Sequence, residues 1–331
     1  MAGKPFNVPF GPQALQAKPA HFLERTMSRK SIFKSVAAVA TAATLAFSLT
    51  ACGSDEAPKD KVESSTLGTE ADPVRIGVVG AEDYWATFTE EAKKKDLFVE
   101  IVDLGEYTIP NTALTEGEID LNQFQHLLFL AGYNVDSGED LTPIAGTAVY
   151  PLGLYSQKHT SVDTITGGEV AIPNDPTNLS RALLVLQDAG LVKLKDGGSA
   201  YSTEFDVLPE SKVKVVPVSA EQTVLSLPDV EASIVNNDFL ADANLKATDA
   251  IYRDSAESEG ARPYINVWVS RAEDKDNAVF KQLLDVYKSK VVQDGVLEAS
   301  GGTAAFANQT GAELEGYLKE IQDDYSAANT K

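Results

Sequence analysis

Sulfur and imidazole are scarce in this sequence: its 331 residues hold one cysteine, two methionines and three histidines. A lone cysteine cannot close a disulfide within the chain, which excludes a disulfide-stapled scaffold. His21, His126 and His159 form no His-x-x-x-His pair, so the helical metal site of that spacing is excluded too. Basic residues are also few, 28 against 49 acidic, for a formal net charge of −21. That balance repels phosphate backbones and anionic surfaces, so no nucleic-acid partner is expected. Enzyme signatures are missing as well: there is no Gly-x-Ser-x-Gly elbow, no Walker A loop and no Gly-x-Gly-x-x-Gly turn. Asp274, Asp276 and Asp285 fall at positions 1, 3 and 12 of a calcium loop, but Val279 occupies position 6, where the turn requires glycine. No cofactor or metal is therefore expected. Acid–base hydrolysis stays open only because so acidic a chain can always supply two carboxylates.

What is present begins with an address. Arg25, Arg29, Lys30 and Lys34 precede an apolar, alanine-rich run from Val36 to Leu49, the order of a secretory signal peptide. The run ends in Leu49-Thr50-Ala51-Cys52, which resembles a lipobox, with Cys52 as the lipidated residue after cleavage. The alternative, an uncleaved signal anchor, meets the difficulty that about 14 apolar residues are short for a bilayer needing about 20. Met27 directly precedes Ser28-Arg29-Lys30, so residues 1–26 read as an extension ahead of the true start. Both methionines lie before Cys52. Residues 1–51 carry six basic groups and one acid, leaving 22 basic against 48 acidic groups beyond them. From Gly53 to about Pro73 the composition is polar, as expected of a tether spanning about 25 Å as a random coil.

Beyond the tether, apolar runs alternate with helical patterns. Val74–Val79 reads as a strand ended by Gly80, Asp83–Lys95 as a helix and Phe98–Val102 as a second strand. The alternation recurs with a strand at Glu169–Ile172 and a helix at Pro176–Ala189. A strand at Lys212–Pro217 then precedes a helix after Ser219, which has a capping-box spacing to Gln222. Further strands are expected at Glu231–Val235 and Tyr264–Val269, and Val279, Phe280, Leu283, Leu284 and Tyr287 mark a core-facing helical stripe. This order predicts an α/β fold of parallel sheets covered by helices, and the length suggests two lobes.

Two runs carry recognition chemistry. Ile172-Pro173-Asn174-Asp175-Pro176-Thr177-Asn178-Leu179-Ser180-Arg181 leaves a strand and enters a helix with Asp175 as N-cap and Pro176 at its first position. Asn178 and Arg181 share a face of its first turns, where N–H groups and a guanidinium could receive a carboxylate, Arg181 holding both oxygens. A capped helix with a surface arginine would look the same. In Leu121–Phe129, the aromatic residues Phe124, His126 and Phe129 could wall a pocket for an apolar or thioether side chain, or could be core residues.

Together these runs resemble the MetQ/NlpA lipoproteins, the substrate-binding components of methionine ABC importers. The matching pieces stand in family order from about Val74 to Leu318: Gly80-Ala81-Glu82, Tyr107-x-Ile-Pro-Asn111, Phe124-Gln125-His126, Val149-Tyr150-Pro151, Asn174–Arg181, Val235-Asn236 and Pro263-Tyr264-Ile265-Asn266. The resemblance implies a two-lobed periplasmic-binding-protein-like fold (type II), each lobe a mostly parallel sheet flanked by helices. Lobe 1 would comprise 74–149 plus 265–331, lobe 2 residues 150–264, with 1–51 as signal peptide and 52–73 as lipidated cysteine and tether. It implies L-methionine between the lobes, Arg181 on the carboxylate, Asn178 and Asn236 on the head group, and Tyr107, Phe124, His126 and Phe129 around the side chain. Tyr150 and Asn266 would serve the ligand or the hinge. Phe129 stands where the family usually has tyrosine, and Leu127-Leu128 replace the usual Lys-Pro, which leaves D-methionine or a methionine-containing dipeptide as alternative ligands. ABC permease and ATPase subunits are the implied partners, with the protein held at the extracytoplasmic face of the cell membrane by the lipid on Cys52.

Overall fold

A computed structural model of the chain describes residues 66–329. The signal-like segment, Cys52 and the tether up to residue 65 lie outside the described residues. In chain order the first elements are β1 (Val74–Val78), α1 (Tyr84–Lys93), β2 (Val99–Asp103), α2 (Pro110–Thr115), β3 (Leu121–Asn122), α3 (Leu127–Ser137), β4 (Thr142–Gly146) and β5 (Ala148–Val149). There follow β6 (Gly153–Tyr155), β7 (Glu169–Pro173), α4 (Pro176–Asp188), β8 (Lys214–Val218), α5 (Ala220–Leu225), β9 (Ala232–Val235) and β10 (Tyr252–Arg253). The chain ends with β11 (Val267–Ser270), α6 (Ala278–Tyr287), α7 (Lys290–Ala299), β12 (Ala305–Phe306) and α8 (Gly311–Asn329).

Two five-stranded sheets organise the molecule, one in the order β2-β1-β3-β11-β4 and the other β10-β6-β9-β7-β8. In the first, β1 pairs in parallel with β2 and β3, and β11 runs antiparallel to both β3 and β4, so four strands share a direction and β11 opposes them. In the second, β7 pairs in parallel with β8 and β9 while β6 is antiparallel to β9 and β10, so β6 is the one reversed strand. The reversed strands are the first to follow each passage between the sheets. A strand entered by crossing over from the other sheet has no helical crossover to turn it round, and it therefore runs against its neighbours.

Alternation decides which layer each strand residue joins. Val267 and Val269 of β11 pack with α2, α3 and α8, whereas Trp268 between them faces α1, α6 and α7 against Trp85, Phe88 and Tyr287. Leu314, Leu318, Ile321 and Tyr325, at helical spacing along α8, cover the first of these layers. The stripe expected in the last third forms α6, with Phe280, Leu283 and Tyr287 buried and Val279 and Leu284 half-covered.

Local readings failed in three places. The expected tether ends earlier, because residues 66–73 turn back on the fold: Gly68 N–H donates to Asp72 O at 2.7 Å and Phe98 N–H to Gly68 O at 2.9 Å. Ser219 precedes α5 without capping it; its hydroxyl donates to the Glu221 carboxylate, a charge-assisted bond that replaces the cap. The strand expected from Tyr264 starts only at Val267, because Glu259–Tyr264 is a 3₁₀ turn containing Pro263.

Candidate functional site

One wall of the cleft between the sheets is the segment joining β3 to α3. Three buried amides tie it to α2: Asn111 Nδ2 donates to Gln125 Oε1 at 2.8 Å, Asn122 Nδ2 to Asn111 Oδ1 at 3.0 Å, and Gln125 Nε2 to Asn122 Oδ1 at 2.9 Å. The closed triangle holds Phe124 and His126 in place on either side of Gln125. His126 is the N-cap of α3, its Nδ1 accepting from Phe129 N–H at 3.1 Å. An accepting Nδ1 puts the ring proton on Nε2. Burial, and then the Arg181 charge, lower the His126 pKa to about 3, so the ring is neutral. Its buried Nε2 faces the Asn178 side chain, which favours a proton there, but makes no hydrogen bond of good geometry among the described residues. Tyr107, Phe124 and Phe129 form a mutual cluster beside it, with centroids 5.7 to 6.0 Å apart, and Phe239 from the other sheet's side packs on Tyr107 at 5.2 Å, its ring tilted by 55°.

The opposite wall is the start of α4. Asp175 is extended and caps the helix by accepting from Asn178 N–H at 2.9 Å, with Pro176 at the first helical position. Arg181, two turns on, is buried. Its Nε donates to Asp254 Oδ2 at 2.8 Å, and its Nη2 donates to Asp254 Oδ1 at 3.2 Å and to the Tyr150 carbonyl at 2.8 Å. The guanidinium lies over the Tyr264 ring at 4.3 Å. The forked edge expected for two ligand oxygens is thus occupied by Asp254, and Nη1 is the nitrogen without a hydrogen bond among the described residues. Asn178 also differs from expectation. Its side-chain nitrogen donates to both Asp175 oxygens at 3.1 Å and its oxygen accepts from Asn236 Nδ2 at 3.0 Å, so the amide is fully engaged within the protein.

The cleft is nearly closed, leaving about 40 Å³ of space between its walls, well short of the several hundred Å³ of an open small-molecule site. Its lining includes Tyr107, Phe124, His126, Phe129, Tyr150, Asn178, Arg181, Asn236 and Asn266, so the fold brings together all nine residues singled out from the sequence. Tyr150 and Asn266 belong to the two crossing segments, which pair through Asn266 N–H to Ala148 O at 2.8 Å and Thr147 N–H to Asn266 O at 2.9 Å. A second cavity of about 400 Å³ shares Tyr107 and Phe129 with the cleft and continues past Tyr133 and Pro176.

Sequence reasoning missed the acids around the site. Asp238 accepts from the Tyr107 hydroxyl at 2.6 Å. Burial raises the Asp238 pKa to about 7; burial and then the Asp238 charge raise that of Glu82 to about 9. Both acids line a small cavity with Gly80, whose φ of +71° and closeness to the Asp238 carbonyl leave no room for a side chain. Asp238 could have been found from its position just past β9, because ligand groups gather at strand ends in such sheets. Asp254 had no local signal. Asp274 and Asp276 of the calcium-like spacing are paired with Arg271 and Lys281, and no cluster able to hold a metal occurs among the described residues.

With this geometry in hand, the similarities to known proteins are specific. The NlpA lipoprotein family model matches residues 74–307. The D-methionine-binding lipoprotein MetQ of Yersinia pestis is 37% identical over 280 residues, covering 82% of this chain and 97% of that protein. The crystal structure of protein PG110 from Staphylococcus aureus superposes with a TM-score of 0.71 at 33% identity, over 75% of this chain and 99% of the other. A nutrient binding protein from Burkholderia cenocepacia, solved bound to methionine, gives a TM-score of 0.66 at 33% identity over 71% and 99% of the two chains. The two sheets, the cleft between them and this match across the folded chain have one explanation: the chain belongs to the NlpA lipoprotein family.

Proposed function

We propose that this chain is a lipid-anchored, extracytoplasmic solute-binding protein that captures methionine and delivers it to an ABC importer. The observation that carries the reading is the convergence of unpaired polarity beside an aromatic wall. Arg181 Nη1 and His126 Nε2–H are donors suited to a carboxylate, Asn236 Oδ1 is a buried acceptor suited to an ammonium, and Tyr107, Phe124 and Phe129 suit a thioether chain. The names of the relatives support the same ligand. Micromolar to nanomolar binding corresponds to about 8 to 12 kcal/mol, within reach of such a set of contacts, and release follows when the transporter favours the open form.

In this reading residues 1–51 are a signal peptide, Cys52 carries the lipid at the cell membrane, and the lobes are 74–149 plus 265–331 and 150–264, hinged at the segments of Tyr150 and Asn266. The permease and ATPase of a methionine importer are the partners. The protein binds and releases its ligand without turning it over. Native mass spectrometry of the purified domain is expected to reveal a co-purified amino acid of methionine's mass, and calorimetry a saturable, stoichiometric site that Arg181→Ala abolishes. Affinity retained within a few-fold in that variant would overturn the carboxylate assignment, and product formation would overturn the binder reading. A second reading, a methionine-containing dipeptide, is favoured by the cavity beyond Phe129, where a longer ligand could extend; D-methionine, no longer than its enantiomer, is supported instead by the name of the Yersinia pestis relative. Competition calorimetry with the three ligands separates them.

A further inference from the structure

We infer that Asp175, which lies behind the cleft wall, is a positioning residue that fixes the polarity of Asn236 and thereby makes the site selective for a ligand bearing a protonated amine. The inference rests on the amino-acid reading above. An amide side chain has a donor end and an acceptor end of nearly equal shape, so its orientation is set by its neighbours. Asp175 Oδ1 accepts from Asn178 N–H at 2.9 Å, from Asn178 Nδ2 at 3.1 Å and from Thr177 Oγ1 at 3.1 Å, and Oδ2 accepts again from Asn178 Nδ2 at 3.1 Å. Burial raises the Asp175 pKa and the converging donors from Asn178 and Thr177 oppose that rise, and in all four contacts the carboxyl oxygens accept.

The consequence passes along the chain of amides. Because Asp175 takes the nitrogen of Asn178, the Asn178 oxygen faces Asn236 and accepts from its Nδ2 at 3.0 Å. Because Asn178 takes the nitrogen of Asn236, the oxygen of Asn236 remains: a buried acceptor without a partner among the described residues, in the cleft lining. Leaving such an atom unpaired is costly, and an ammonium N–H satisfies it. If the relay were reversed, an N–H donor would face the ligand's ammonium instead. Asp175 thus acts on ligand choice through two intervening amides.

The test measures affinity for L-methionine and for its 2-hydroxy analogue, whose hydroxyl can donate or accept and so is indifferent to the polarity of Asn236. Asp175→Asn keeps a competent N-cap but offers Asn178 a donor as well as an acceptor. The ratio of methionine to hydroxy-analogue affinity is expected to fall about tenfold or more. Asn236→Asp alone sets oxygen against the Asn178 oxygen and weakens both ligands. The double variant, with acceptors on both faces of position 236 and a freely turning Asn178, is expected to recover the wild-type ratio to within a few-fold. Equal loss for both ligands in Asp175→Asn, or a ratio unmoved by it, would reduce Asp175 to a helix cap and overturn the inference. Wild-type protein that binds neither ligand would instead refute the amino-acid reading itself.

Discussion

The hydroxyl of Tyr107, beyond β2, donates to the carboxylate of Asp238, beyond β9, at 2.6 Å, joining the two sides of the cleft across 131 residues of sequence. Both belong to the lining, and the Tyr107 ring is also packed on Phe239, so this contact exists only when the lobes are together. Tyr107→Phe keeps the ring and removes the bond. With the Asp238 pKa raised to about 7 the acceptor is present both neutral and charged near neutral pH, so the bond contributes between about 0.5 and about 3 kcal/mol, and methionine affinity is expected to weaken by about 3- to 100-fold with little change in melting temperature. Unchanged affinity in calorimetry would mean that the bond does not favour closure.

Gly80 makes a sharper test of closure. A methyl group there would sit 2.5 Å from the Asp238 carbonyl oxygen, a backbone atom of the other lobe, at a φ of +71°. Gly80→Ala is expected to cost about 1 kcal/mol of stability through its backbone and to hold the lobes apart. Small-angle scattering should then show an expanded particle that does not contract on adding methionine. Wild-type contraction would show that the lobes meet elsewhere.

The acids at this junction should make binding pH-dependent. Glu82 and Asp238 have raised pKa values in the closed form, about 9 and about 7, and Asp103 adds like charge to both. A raised carboxyl pKa favours the form that holds the proton, so the stabilisation is complete below the ordinary carboxylate range and is lost as pH rises through these values. Methionine affinity should therefore fall from about pH 4 up to about pH 9, and Glu82→Gln should flatten part of that decline. Parallel pH profiles for the two proteins would count against the coupling.

His126 predicts the opposite trend for folding. Its pKa is lowered to about 3 by burial and by Arg181, whereas the unfolded ring titrates near 6.5. The unfolded chain takes up the proton first, so this contribution is present above about pH 6.5 and is lost on acidification toward pH 3, at about 1.4 kcal/mol per pH unit. His126→Asn preserves an N-cap acceptor and lacks the ring. Urea titrations at about pH 7, 6 and 5 should show a shallower loss of stability in the variant.

Asp254 holds Arg181 by two hydrogen bonds and also accepts from Leu152 N–H at 2.8 Å. Asp254→Asn keeps an acceptor for Leu152 but removes the charge. Because the aspartate side is partly solvated, the expected loss is about 1–3 kcal/mol of stability, with about tenfold weaker methionine binding as the guanidinium loosens. Stability and affinity both within error of wild type would exclude this role.

Much of the molecule is legible locally. The β-branched run of β1, the stripe of α6 and the Asp175-Pro176 start of α4 are set by interactions reaching a few residues along the chain, so periodicity and capping chemistry determine them. Phe124, His126, Phe129, Asn178 and Arg181 could be picked out for the same reason, whereas Tyr107, Tyr150, Asn236 and Asn266 could be identified only through the resemblance to a family. Their working atoms could not. Which edge of Arg181 stays free depends on Asp254, 73 residues away, and which end of Asn236 faces the ligand depends on Asp175 through Asn178. Local patterns assign residue types to elements. Hydrogen-bond partners, freed acceptors and shifted pKa values arise only when the two sheets bring distant segments within about 3 Å and exclude water between them, and that is decided by the tertiary structure.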